Sequence, residues 1–253
     1  MTAYAAALTD RKSVYWLEQS HSDVPVDNTW LTPAELETLS RFRFHKRRDE
    51  WRLGRWTGKR CLAAFAQMSG VPPDLSRIEI RSQSSGAPFG VLLDEDIPVS
   101  ISLTHRGGKA MCAFAPSKIS VGCDLELIEE RSPEFLLDYF TQEEQLLVER
   151  TSLQERALVT NMLWSVKESA LKALCMGLRI DTRSVKVLPL TSKRDVSIDP
   201  PAKILSELPL QAPTPKWQCV QVTVERANFQ GWWSVSKPFI RTIVLGSTFP
   251  PRR

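Results

Sequence analysis

Several stretches of this sequence combine residue types and spacings that can do chemistry. In KISVGCDLELI, residues 118–128, Asp124 and Glu126 are separated by one residue. On an extended strand both carboxylates share a face, roughly 7 Å apart, and Gly122 shares it with them. A cation between two such acids relieves their repulsion, and Gly122 is expected to leave room there. A solvated strand face carrying two acids fits the same letters. In WSVKESALKAL, residues 164–174, Trp164, Glu168 and Lys172 recur one helical turn apart, with Lys167 at the edge of the row. A surface Glu–Lys pair at i,i+4 accounts for the last two but gives no reason for the indole. Residues 41–60 hold nine Lys or Arg against two acids, and Arg48, Arg52, Arg55 and Lys59 form one helical stripe. Like charges at that spacing oppose one another. An anion is therefore expected to meet the stripe, unless it is a solvated face or a nucleic-acid contact. In SSGAPFG, residues 84–90, Gly86 and Pro88 shape a turn that either borders a flat ligand or is only a turn. In residues 100–114, His105 is expected at a turn, after Thr104 and before Arg106 and two glycines, where it can touch a phosphate or stay solvated.

In combination these features describe phosphoryl chemistry: an acid pair, a third acid with a lysine one turn on, a histidine at a glycine turn and a cationic helix. With no His/Cys ligand cluster in the sequence, the natural cation is hard and oxygen-liganded, which points to Mg²⁺.

The elements that must position these residues are marked by their caps. Thr32, Pro33 and Glu35 make a capping box with proline at the first helical position, and Thr141 to Glu144 make another. Ser132 and Pro133 open a third helix. Helices are expected near 32–41, 45–69, 133–139, 141–150 and 153–176. On the last, Leu163, Val166, Ala170, Ala173 and Leu174 form the core arc, and the row through Trp164 forms a different one. Strands are expected near 77–82, 99–104, 109–115, 119–127, 185–188, 217–226 and 231–236. Gly70, Pro72 and Pro73 should close the long helix, and residues 189–215, rich in proline, should be irregular. The order of elements repeats itself, which implies an α+β chain of two similar halves, 1–117 and 118–253.

Composition sets the outer bounds. The chain has 253 residues, 42% hydrophobic and 25% charged, as expected of a globular protein. No apolar run reaches the length of a membrane span, and the N-terminus lacks the apolar core of a signal peptide. Five cysteines without metal-type spacing read as free thiols in a reducing cytoplasm. The net charge of +4 does not by itself demand a polyanionic partner.

In this order and at these separations, VGCDLE, FTQEEQ and WSVKESALKALCMGL resemble the Sfp-type 4′-phosphopantetheinyl transferases. The family's G-x-D-x-E falls on Gly122, Asp124 and Glu126. Its W-x-x-K-E-x-x-x-K falls on Trp164, Lys167, Glu168 and Lys172. Its Ser-His-Ser-Gly turn corresponds to Thr104, His105, Arg106 and Gly107, with Arg106 in place of the second serine. Its Gly-Lys-Pro turn corresponds to Gly86, Ala87 and Pro88, with Ala87 in place of lysine. KRRDEWRLGR is similar to the basic helix of enterobactin-type members.

The resemblance implies transfer of phosphopantetheine from coenzyme A to a serine of an apo acyl or peptidyl carrier protein, releasing 3′,5′-ADP. It implies Mg²⁺ on Asp124, Glu126 and Glu168, with Glu168 also a candidate base and Lys172 offsetting charge on the leaving phosphate. Arg48, Arg52, Arg55, Thr104, His105, Lys167 and Lys172 would hold coenzyme A phosphates, and Gly86 and Pro88 would border the adenine. It also implies a pseudo-two-fold α+β monomer with the site at the junction of its halves, acting without nucleic acid or membrane. Two other classes stay open: a metal-dependent nucleic-acid enzyme, and a non-catalytic protein that binds coenzyme A or a carrier.

Overall fold

The helices begin where side chains close their first turn. At the start of α1 (Pro33–Ser40), the Glu35 N–H donates to Thr32 Oγ1 at 3.2 Å and the Thr32 N–H donates to Glu35 Oε2 at 3.1 Å. The same reciprocal box opens α4 (Gln142–Arg150), with 3.3 Å and 2.8 Å between Thr141 and Glu144. Each box satisfies two backbone donors that a helix start otherwise leaves open. Ser132 caps α3 (Pro133–Tyr139) by accepting from the Phe135 N–H. The two long helices are α2 (His45–Met68) and α5 (Leu153–Ala173). The computed structural model describes residues 14–68, 73–189, 216–225 and 227–246. Most of the proline-rich stretch 189–215, and Gly70 and Pro72 after α2, lie outside them.

The chain divides after Lys118 into two compact units. The first contains β1 (Tyr15–Ser20), α1, α2, β2 (Ile78–Ser82), β3 (Pro88–Leu92), β4 (Glu95–Asp96), β5 (Val99–Arg106) and β6 (Lys109–Pro116). Its strands pair antiparallel in the orders β1-β6-β5 and β2-β3-β4. Helix α2 packs on them around a core that includes Leu62, Phe65, Ile78, Ile101 and Phe114. The second unit contains β7 (Ser120–Leu127), α3, α4, α5, β8 (Val185–Pro189), β9 (Gln218–Val224), β10 (Ala227–Ser236) and β11 (Phe239–Gly246). Its antiparallel sheet runs β7-β11-β10-β9-β8, and α5 lies against it over a core that includes Leu163, Val166, Val222, Ile240 and Val244. Both units are therefore α+β, each a long helix on antiparallel strands. No described helix is long and apolar enough to cross a membrane.

The two units share a polar device as well. In the first, capping-box Glu35 also accepts from Lys59 Nζ of α2 through Oε2 and from the Ile80 N–H of β2 through Oε1 at 3.4 Å. In the second, capping-box Glu144 pairs with Lys167 Nζ of α5 at 2.9 Å and accepts from the Val187 N–H of β8 at 2.9 Å. Each ammonium also lies 5.6 Å from a ring centroid just upstream of the cap, Trp30 for Lys59 and Phe140 for Lys167. Both lysines are fully buried. Burial pulls both ammonium pKa values down, and the partner glutamate pulls each part of the way back. A buried ion costs several kcal/mol unless its hydrogen bonds are complete, and here one carboxylate joins a helix start, a long helix and a strand.

The structure adds β1, β3, β4 and β11 to the expected strands. Strand β11 is buried along almost all its length. A strand covered on both faces loses the period-two alternation by which a half-buried strand is recognised. Helix α5 ends three residues early because Cys175 takes a left-handed conformation (φ 56°), which stops the helical ladder.

Replacing Lys167 or Lys59 by methionine is expected to cost about 3–5 kcal/mol, the scale for breaking a buried pair and stranding its partner. Urea unfolding measures it. A surface-like loss of a few tenths of a kcal/mol would show that the lattice is dispensable.

Candidate active site

Asp124, Glu126, Glu168 and Lys172 all belong to the second unit, where β7 meets α5. The strand alternation is as expected: Val121, Cys123 and Leu125 are buried on one face, and Gly122, Asp124 and Glu126 alternate with them. The acid face, however, is turned toward α5. Gly122 leaves no vacancy there: a Cβ on it would collide with the Ser169 carbonyl oxygen and lie 2.6 Å from the Ala173 nitrogen. The missing side chain lets the helix backbone press onto the strand, and that contact brings the two motifs together.

Asp124 is buried and fully engaged. Its Oδ1 accepts from Lys172 Nζ at 2.6 Å and its Oδ2 from Ser165 Oγ at 2.9 Å. Thr242 of β11 sits opposite Asp124 in the sheet register, so its side chain emerges on the same face. Its hydroxyl lies 2.9 Å from Ser165 Oγ and 2.7 Å from Ser169 Oγ, and it donates to the Ser165 carbonyl. Glu126 is held from the other side: Arg131 reaches it at 3.3 Å, Glu129 at 3.1 Å and Asn161 Oδ1 at 2.8 Å, and stacks over Phe135. Lys172 Nζ also donates to the Cys123 carbonyl at 3.2 Å and stands 4.0 Å from Glu168 Oε2. Burial opposes its charge, but Asp124, the Cys123 thiol and Glu168 outweigh burial and raise its pKa. Burial most of all raises the Glu168 carboxyl; Lys172 draws it back, and the charges of Asp124 and Glu126 push it up again.

Three carboxylates that repel one another and offer only oxygen are suited in kind to a hard divalent cation. They are not drawn together around one: no group of three or more such ligands stands close enough to hold a metal among the described residues. Lys172 and Arg131 supply the positive charge instead.

Other expected site residues are placed differently. Trp164 is 9% exposed and packs edge-on against Phe135 and Tyr139, each ring 5.0 Å away. The indole is core for α3, and Leu171, next to Lys172 in the chain, is buried too, so the row through Trp164 is not a single site wall. Lys167 donates to the Thr182 carbonyl at 2.9 Å and to Val185 and pairs with Glu144, which occupies all three ammonium protons. It braces the fold and has no proton left for a coenzyme A phosphate.

In the first unit the cationic stripe is largely turned inward. Arg52 donates to the carbonyls of Pro25, Val26 and Asp27. Arg55 stands 3.9 Å from Glu35 and stacks 5.1 Å over Trp51, with burial lowering its pKa. Lys59 is the buried partner of Glu35. The expected anion is thus Glu35, and Arg48, half-exposed, is left at the outer end of the stripe. Thr104 is buried and His105 exposed on β5, facing opposite ways as strand neighbours must. The turn follows them at Gly107 and Gly108, whose φ values are 57° and 79°. Gly86 is an exposed turn residue with φ 88°, and Pro88 begins β3.

Ser165, Ser169, Thr242 and Arg131 escaped the sequence reading. Two serines four residues apart in an apolar helix are a signal in retrospect. Thr242 gives none without the strand pairing.

Residues 120–208 match the model of the 4′-phosphopantetheinyl transferase superfamily. The matched residues include Asp124, Glu126, Glu168 and Lys172. Among solved structures, the chain is similar to a holo-(acyl-carrier-protein) synthase from Bacillus anthracis strain Ames, determined in complex with CoA (3′,5′-ADP). The identity is 16%, over 40% of this chain and 92% of that one, with a TM-score of 0.33. No curated protein matches the chain.

Two substitutions test the superfamily segment's geometry. Gly122→Ala meets backbone that cannot yield, so it is expected to cost about 3 kcal/mol or more in urea unfolding; a neutral result would show that α5 does not rest on β7 there. For Glu168, a carboxyl raised in the folded state contributes stability below its ordinary pKa and loses it as pH rises through the folded value. At neutral pH its charge is therefore a net cost. Glu168→Gln is expected to melt at the same temperature or higher at pH 7.5, with the gain vanishing toward pH 4. A lower melting temperature at pH 7.5 would mean that the Lys172 pairing dominates.

Proposed function

We propose that this protein transfers 4′-phosphopantetheine from coenzyme A to a serine of an apo acyl or peptidyl carrier protein, as an Sfp-type enzyme. The observation that carries the reading is a coincidence of position: the superfamily match spans the acids of β7 and the Glu-Lys pair of α5, and the fold gathers these same residues at one contact. Asp124, Glu126 and Glu168 would hold Mg²⁺, which would neutralise charge on the pyrophosphate of coenzyme A.

In this reading the carrier serine oxygen attacks the β-phosphorus, and the bond from that phosphorus to the bridging oxygen breaks. The bridging oxygen leaves with 3′,5′-ADP. Glu168 takes the serine proton; burial raises its pKa, which makes it a stronger base than an ordinary carboxylate. Lys172 offsets negative charge on the departing phosphate. Ser165 and Thr242 fix Asp124, and Arg131 fixes Glu126. In the first unit, Arg48, Thr104 and His105 remain candidates for coenzyme A phosphates, and Gly86 and Pro88 for the adenine. Arg52 ties α2 to the carbonyls of residues 25–27, and Arg55 answers Glu35. A cytoplasmic monomer serving a carrier partner completes the reading. The nucleic-acid alternative drew on the cationic helix, and three of that helix's four stripe residues are engaged by the protein itself.

The experiment is incubation with coenzyme A, Mg²⁺ and a panel of apo carriers, read by intact mass. Transfer is expected to at least one carrier. Asp124→Asn is expected to lower the rate on the order of a hundred-fold or more, since even groups that merely orient a metal ligand act at 10–100-fold. An inert wild type across fatty-acid, polyketide and peptide-synthetase carriers, or an unimpaired variant, would overturn the assignment.

A further inference from the structure

Two lysines of α5, five residues apart, are held in different ways. Lys167 is completely buried with every ammonium proton engaged, so it cannot leave without unfolding its surroundings. Lys172 keeps 28% of its side chain exposed and holds Asp124 Oδ1 at 2.6 Å and the Cys123 carbonyl at 3.2 Å. It has a strong anchor and an open way to solvent. Of the two carboxylate oxygens, Oδ2 faces the fully buried Ser165, whereas Oδ1 faces the part-exposed Lys172, so the anchor holds the oxygen that an incoming cation would meet first.

From this we infer that Lys172 is a resident counter-ion: it holds Asp124 in the cation-free protein and must leave Oδ1 before a divalent cation can bind, so that this side chain sets the protein's metal affinity. The inference rests on the reading above that Asp124, Glu126 and Glu168 take a cation. The physical basis is competition for one oxygen. A buried aspartate without a partner would be costly, and the ammonium supplies that partner while standing 4.0 Å from Glu168 Oε2. A metal ion then meets a site that is open only for the fraction of time that Lys172 is away, and its apparent affinity falls by that fraction. Once displaced, the ammonium remains tethered one helical turn from Glu168, available to a phosphate oxygen.

The test is binding of Mn²⁺ to the full chain without coenzyme A, by calorimetry and by loss of the free-ion electron-spin signal. The comparison is wild type against Lys172→Met, Lys172→Gln, Lys172→Arg and Asp124→Asn. Lys172→Met is expected to bind about ten-fold tighter than wild type. Its melting temperature should be lower than wild type without metal and rise more with it. Lys172→Gln serves if the methionine variant fails to fold. Lys172→Arg, which keeps the charge, should stay near wild type, and Asp124→Asn should bind more weakly. Unchanged or weaker binding in both neutral variants, or no Mn²⁺ binding in any form, overturns the inference. The carrier assay separates the two ideas. Tighter Mn²⁺ binding with no transfer by the wild type would uphold the counter-ion and reject the transferase. Transfer by the wild type with no tightening in the variants would do the reverse.

Discussion

The buried glutamate at the start of a short helix is the interaction on which the rest of this structure depends. Glu35 and Glu144 each close a capping box, accept a strand N–H and neutralise a lysine that has no access to water. An ammonium in a protein interior is tolerated only when its donors are satisfied. Each glutamate therefore pins its long helix at one rotation and one height against its strands. Moving α5 along its axis would separate Lys167 from Glu144, Thr182 and Val185 together. That constraint also fixes the next residue, Glu168, which must then face the acids of β7.

The second consequence is the close approach of α5 to β7. Gly122, Ser165 and Ser169 contribute little bulk at the contact, and their polar atoms are satisfied across it by Thr242 and Asp124. A helix seated that close places carboxylates from two elements within electrostatic range in a half-dry environment. Burial raises Glu168 most, Lys172 draws it back, and the charges of Asp124 and Glu126 push it up; Lys172 and Arg131 are the cations set against these acids. The contact between α5 and β7 thus holds like charges in place and sets a cationic side chain against each acid of the strand.

The Glu-Lys lattice recurs in both units, with a capping-box glutamate, a long-helix lysine and a strand N–H in each. It explains why a conspicuous cationic stripe carries less of the ligand chemistry than its composition suggests. On α2, Lys59 and Arg55 answer Glu35, and Arg52 ties down the carbonyls of residues 25–27. A like-charged row on a helix is destabilising only if it remains a row in water; here it is divided among internal partners.

Much of this was written in local sequence. Capping boxes, the helix-opening prolines and the alternation of β7 act over a few residues, so Thr32, Thr141, Pro133 and the Asp124–Glu126 pair were legible, as was the α+β class. The motif spacing also pointed to the acids and to Glu168 and Lys172. What local sequence could not carry was partnership at a distance. Strand β11 shows no alternation because both its faces are covered, so Thr242 and its hold on Ser165 were invisible. Trp164 and Lys167 read as site residues by their place in a motif, and only α3, α4 and β8 packing around them made one a core ring and the other a buried brace. Gly122 read as open space, and only the helix lying across it turned that space into contact. Periodicity states which residues share a face; tertiary structure decides what that face meets, because burial and pairing are set by elements that lie far away along the chain.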